Sequence, residues 1–334
     1  MMPEVISFEE AMKRTAQEKH RVLLIGNGFS AQYFSYKDLL EKSDLAADSS
    51  ARRLFDILGT FDFEAVVRAL EAAVSVAQAY GHDTHADKLL ADAQMVRQAL
   101  VNAVNATHPE HREELRTKYA SSAAFLAHFS TVFTLNYDLL LYWVNLEKGF
   151  LTDGFGLGKR RGNFHGPFDT TAHCSLYNLH GGLHLFDNGA GEIMKATNVG
   201  SGIIATITDI IVNDKRFPVY VAEGTSPQKM RKINSVAYLR HCYETLRQNS
   251  ETIFVYGHSA NENDAHIYNA IFRSKAKHLY FGVHRPDDAK VNTLDGSLAK
   301  YQRTAASKVE YTFFCSESAK VWEHDGNLEG STTI

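Results

Sequence analysis

RVLLIGNGFSAQYF, residues 21–34, is the stretch on which the fold turns. Val22, Leu23, Leu24 and Ile25 form a short run, β-branched at both ends and apolar on both faces. Such a run predicts a strand covered on both sides, as in a parallel α/β sheet. It stops at Gly26-Asn27-Gly28, and Gly26, Gly28 and Ala31 fall at the positions of G-x-G-x-x-G/A. There the missing side chains let backbone N–H groups approach a pyrophosphate. Taken alone, the pattern more often describes a plain strand-to-helix turn.

Working outward, residues 8–18 read as a short surface helix that feeds this strand and covers a sheet edge. Residues 37–129 change character: Phe63, Val66, Val67 and Leu70, then Leu89, Leu90, Val96, Leu100 and Val104, recur at helical spacing. This predicts a helical insertion, broken near residues 81–83 and 108–109. Strand patterns return at residues 130–135, 175–179, 218–222, 252–256, 278–283 and 310–314, with helical patterns between several of them. Strands alternating with helices indicate βαβ units. The expected fold is α/β: a Rossmann-like parallel sheet flanked by helices, with an α-helical insertion after the first strand. Residues 1–36 and 130–320 would form the Rossmann domain, 37–129 the insertion and 321–334 a flexible tail. Residues 152–169 and 187–201 read as long loops.

The chain has 334 residues, 44% of them hydrophobic, with a net formal charge of −4. That balance gives no basic footprint for nucleic acid or a membrane surface. Cys174, Cys242 and Cys315 are far apart and form no C-x-x-C pair, which argues against a structural zinc site or a disulfide framework. No apolar run reaches the roughly 18 residues of a membrane helix, and the charged N-terminal stretch has no signal-peptide core. A cytoplasmic protein without a metal is expected.

In open α/β sheets ligands bind beyond the carboxyl ends of the strands. Four such ends carry Gly, Asn, Asp, His and Ser together: Gly26-Asn27-Gly28-Phe29-Ser30; Thr134-Leu135-Asn136-Tyr137-Asp138; His180-Gly181-Gly182; and Gly257-His258-Ser259, followed by Asp264. A dehydrogenase would place an acidic residue at the end of a second strand about 20 residues beyond the glycines. Here that region is YKDLLEKSDLAADSS, polar and helix-like.

The order GNGFS, TLNYD, LHGG, GHS and Asp264 resembles the sirtuin-like (SIR2) NAD-consuming superfamily, whose motifs run G-A-G-x-S, T-Q-N-x-D, H-G and G-x-S. With FDFE, FTLNYD and YGHSANEND added, it looks more closely like the SIR2-like proteins of bacterial anti-phage defence loci, of the type catalogued as DUF4917. The resemblance implies an NAD glycohydrolase, with NAD as substrate. It implies Asn136 and Asp138 beside the nicotinamide ribose and His180 as catalytic histidine. Gly26, Asn27, Gly28, Phe29, Ser30, Thr134, Gly257, Ser259 and Asp264 would hold the dinucleotide. It also implies a homo-oligomer or a HerA-type ATPase partner. Leu135 replaces the sirtuin glutamine, Asn27 replaces an alanine, and the four-cysteine zinc ribbon is absent, which disfavours deacylation and leaves water as the acceptor.

Other roles fit the same residues. Asn136 and Asp138 could cap the following helix, Ser30 could be a cap, and His180 a loop histidine bonded to backbone. Phe61-Asp62-Phe63-Glu64 reads as a helix cap. His82, His85, His108 and His111 read as solvent-facing, and Lys229 as a surface lysine. A non-catalytic NAD or ADP-ribose sensor is the competing function.

Overall fold

The computed structural model describes residues 3–33, 39–108, 112–149, 151–156, 160–197, 202–222 and 224–322. The chain opens with β1 (Val5–Ser7), α1 (Phe8–Arg14) and β2 (Arg21–Ile25). Among the described residues, five α-helices lie between it and the next strand: α2 (Leu39–Lys42), α3 (Ser50–Leu58), α4 (Phe63–Ala79), α5 (Asp83–Thr107) and α6 (Tyr119–Leu126). β3 (Thr131–Thr134), α7 (Leu140–Lys148), β4 (Arg160–Arg161), β5 (Phe164–His165), β6 (Leu176–Asn178), β7 (Gly181–Asp187) and β8 (Ile193–Ala196) follow. The remainder is α8 (Ile203–Val212), β9 (Pro218–Tyr220), α9 (Ser226–Ser235), α10 (Ala237–Arg247), β10 (Thr252–Tyr256), α11 (Ala265–Arg273), β11 (His278–Val283), α12 (Asp288–Thr304) and β12 (Glu310–Cys315).

The main sheet has seven strands in the order β1-β12-β11-β10-β2-β3-β6, and every pair is parallel. Setting β1 aside, the order from β6 to β12 is 3-2-1-4-5-6, the Rossmann order, and strand order reverses between β2 and β10. The strands are apolar on both faces because each face is covered. Val22 and Leu24 join one core cluster with Ile253, Val255 and Phe281, beneath α10, α11 and α12. Leu23 and Ile25 join the other with Val132 and Phe254, beneath α1, α6 and α7. This alternation is the period-2 geometry of a strand buried on two sides.

The insertion helices start where local chemistry favours it. Asp62 Oδ1 accepts from the Glu64 backbone N–H at 2.9 Å and caps α4, whose Phe63, Val66, Val67 and Leu70 are buried. Glu64 itself pairs with Lys232 on α9 at 2.8 Å.

Several expectations are corrected. The strand at Pro218 does not enter the main sheet: β9 edges a second, antiparallel sheet of order β4-β5-β8-β7-β9. The segments read as long loops contribute β4, β5 and β8 to it. β1 was not foreseen, because three residues are too short to show a period; pairing with β12 is what makes it a strand. Val321 and Trp322, placed in the expected tail, are buried, and the Trp322 ring packs 5.1 Å from Phe29. Residues 323–334 lie outside the described residues. His82 and His85 are exposed. His108 is instead buried, with Nδ1 2.9 Å from the Val104 carbonyl and Nε2 accepting from the Leu139 N–H. His111 is outside the described residues.

Candidate active site

The loops after β2 and β10 meet at the switch point. Gly26 N–H donates to the Tyr256 carbonyl at 2.9 Å, and Gly28 N–H to the Gly257 carbonyl at 2.7 Å. Phe29 N–H and Ser30 N–H bond back to Gly26 and Asn27, so residues 27–29 form one 3-10 turn. These amides are therefore committed within the fold. The missing side chains serve the approach of two backbones: a Cβ on Gly28 would lie 2.5 Å from Gly257 Cα, and Gly257 has φ +70°. Gly28→Val is expected to destabilise the protein by on the order of 1–3 kcal/mol through overpacking. Chemical denaturation checks this; wild-type stability would mean the two loops do not touch as described.

Around that contact lies a cleft of about 650 Å³ at the carboxyl ends of the strands, a volume in the range of small-molecule sites. Asn27, Gly28 and Ala31 line it from β2; Gly257, Ser259 and Asp264 from β10; and Gly282, Arg285, Glu317 and Lys320 from β11 and β12. His180, between β6 and β7, lines it as well. Of the other predicted residues, Gly26 packs against Gly257 and His258, and Phe29, Ser30 and Thr134 are buried.

The chain beyond β3 alternates. Leu135 and Tyr137 line the cleft, while Thr134, Asn136 and Asp138 line a separate cavity of about 30 Å³, with His184 and Lys195. Asn136 Nδ2 donates to Ser30 Oγ at 3.1 Å, its N–H donates to Thr134 Oγ1, and its Oδ1 is buried with no hydrogen-bond partner among the described residues. Asp138 Oδ1 accepts from the Leu140 N–H at 2.8 Å, at the entrance to α7. Ser30 is a link between loops, and Asp138 makes the turn that the capping alternative described.

The charged centre of the cleft is Asp264. Lys229 Nζ stands 2.8 Å from its Oδ1, His258 Nε2 3.4 Å from Oδ2, and His180 Nε2 3.9 Å from Oδ1. His258 Nδ1 accepts from the Ala260 N–H, which puts its proton on Nε2, facing the carboxylate. Burial alone would raise the Asp264 carboxyl, yet the His258 hydrogen bond and the neighbouring His180 and Lys229 hold it far below the usual carboxylate range. Lys229 is thus a buried ion-pair partner, not a surface lysine. Residue spacing alone hides this; in α9, Ser226, Lys229 and Ile233 fall on one face, which is the signal a helical reading could have used.

His180 also meets a residue that sequence reading missed: its Nε2 lies 3.1 Å from His266 Nε2. Burial lowers His180 well below its ordinary value and His266 to about 4; it lowers His184 to about 3, with Lys195 adding to the effect. Unfolded, these rings protonate near pH 6.5, so between there and about pH 4 the unfolded state binds more protons. Stability is expected to fall as pH drops through that window, by about 1.4 kcal/mol per pH unit for each ring held neutral. Denaturant titrations at pH 7, 6 and 5 check this; a flat profile would contradict it.

The glycine contact, the cleft at the strand reversal and the buried Asp264 centre define an α/β protein of Rossmann order with its polar site at the switch point. The chain belongs to the family described as Domain of unknown function (DUF4917), whose model matches residues 23–322. No curated protein matches it in sequence. Among solved structures, it is similar to Sir2Tm bound to a propionylated peptide (TM-score 0.40, 12% identity, covering 94% of this chain and 96% of that one). It is also similar to a Sir2 homolog–NAD complex (TM-score 0.38, 14% identity, 91% and 98%). These likenesses are distant, and it is strand order and register that define the fold. Among the described residues, no helix is long and apolar enough to cross a membrane.

Proposed function

We propose that the chain is an NAD glycohydrolase, splitting NAD into nicotinamide and ADP-ribose with water as acceptor. The observation that carries this reading is His180, a buried, neutral histidine on the wall of the switch-point cleft, with a carboxylate 3.9 Å from its Nε2. Cleaving the nicotinamide bond leaves positive charge on the ribose, as in glycoside hydrolysis. The leaving group is already cationic, so no acid need protonate it. What remains is to orient the sugar, exclude bulk water and remove a proton from the attacking oxygen or a ribose hydroxyl. His180 is the base in this reading, and Asp264 offsets the charge that forms near it.

Asn136 and Asp138 act at one remove. Asn136 ties the β3 loop to Ser30 of the glycine turn, and Asp138 fixes the entry to α7. The resemblance to SIR2-like proteins of anti-phage loci supports a role as a defence effector that drains NAD, restrained by self-assembly or by a HerA-type ATPase.

The test is incubation of the purified chain with NAD, alone and with a co-encoded partner, followed by chromatography for free nicotinamide. NAD binding without nicotinamide release under either condition would sink the hydrolase and favour a sensor.

A further inference from the structure

Beside His180 stands a second imidazole, one that does not line the cleft. His266, in the first turn of α11, stacks on His180 with ring centroids 5.4 Å apart and an interplanar angle of 22°. Their Nε2 atoms are 3.1 Å apart, and both side chains are buried. Two ring nitrogens at that separation hold one proton between them, since two lone pairs or two N–H groups face to face would repel. Ser226 Oγ, at the start of α9, accepts from the His266 backbone N–H at 3.0 Å and lies 3.1 Å from His266 Nδ1. The His266 ring is thus held at both nitrogens.

We propose that His266, oriented by Ser226, is the positioning residue that fixes the tautomer of His180 and shares its proton during turnover. His180 carries its proton on Nε2 and gives it to His266 as a hydrogen bond. His266 in turn carries its proton on Nδ1, directed at Ser226 Oγ. The lone pair of His180 Nδ1, which has no partner among the described residues, then remains for the substrate. When Nδ1 takes a proton from the attacking oxygen, an O–H bond breaks and an N–H bond forms. The Nε2 proton moves to His266 Nε2, so the positive charge is shared between two rings that both lie near Asp264. A buried histidine with no such outlet would hold the whole charge itself, at the full cost of burial.

His180, Asp264 and His266 are also spaced as three ligands of a metal ion would be. The Lys229 ammonium on Asp264 Oδ1 already supplies one positive charge there, and a divalent ion would add two more to a buried site.

The inference rests on the proposed hydrolysis for its kinetic test, and a second readout does not. Ring 15N spectra of the wild-type protein should show His180 protonated at Nε2 and His266 at Nδ1; the opposite tautomers would overturn the proposal whether or not the protein turns over NAD. In kinetics, His266→Asn should lower kcat by about a hundredfold or more, with KM and melting temperature near wild type, and Ser226→Ala should lower it less. The groups facing His180 are Asp264, His258 and Lys229 besides His266, and His266 contributes to lowering its pKa. Losing the proton outlet outweighs that repulsion, so in His266→Asn the acid limb of kcat should move down, away from pH 6.5. Wild-type kcat and pH profile in a folded His266→Asn protein would refute the relay while leaving the hydrolase intact. Loss of turnover on chelation, restored by zinc or manganese, would refute it in favour of a metal centre.

Discussion

Replacing His180 by alanine is expected to lower nicotinamide release by about a hundredfold to ten-thousandfold, the usual loss when a positioned general base is removed. NAD binding should survive, because the glycine turn and the β11 and β12 loops supply much of the rest of the cleft lining. Stability should fall only modestly. The substitution removes a buried polar ring and leaves its hydrogen-bond partner, His266 Nε2, to be satisfied by water, a cost of about 1–3 kcal/mol. The measurement pairs turnover with a melting profile and a calorimetric titration. Because a restrained hydrolase is silent alone, turnover is compared in the activated assembly. Full turnover by His180→Ala there would remove this residue from the chemistry.

The second large effect concerns stability. Asp264→Ala takes the carboxylate away from Lys229, whose side chain is only 6% exposed, and from the His258 N–H that faces it. Breaking a buried pair from one side typically costs about 3–5 kcal/mol, since the remaining charge stays in a poorly solvated place. Asp264→Asn, which keeps the shape and one acceptor, should cost less. Lys229→Met added to Asp264→Ala should recover part of the loss, because a buried charge goes with it. Equilibrium denaturation of the single variants and the double variant reads this directly. A loss below about 1 kcal/mol for Asp264→Ala would mean that water screens the pair, contrary to the burial described.

The two effects separate roles that one cleft combines. In the proposed hydrolysis His180 is a chemical group whose loss the fold can tolerate. Asp264 is a structural centre on which His258 and Lys229 depend, and only through its field does it touch the chemistry. α9 joins this centre to the insertion: Lys229 faces Asp264, and on the same helix Lys232 holds Asp62 and Glu64 at the start of α4.

What the sequence determined by itself is local. The two-faced apolar run 22–25, the polar ends of β3, β6 and β10, and the helical spacing of 63–70 each depend on neighbours in the chain, so patterning and capping rules reach them. The α/β class and the four strand ends follow from the same patterns. Tertiary structure decided the rest. β1 and the antiparallel sheet exist because distant strands supply their hydrogen bonds, which no short segment records. Along residues 134–138 the sequence carries an alternation, but not which side of it faces the cleft. Packing of β3 between β2 and β6 turned Leu135 and Tyr137 towards the cleft and Asn136 and Asp138 away. Lys229, His266 and Trp322 became part of the site for a similar reason: α9, α11 and the segment beyond β12 each bring one side chain to a place set by the whole sheet. The spacing of residues along a chain fixes which face of an element they share; what that face meets is fixed only when the elements pack.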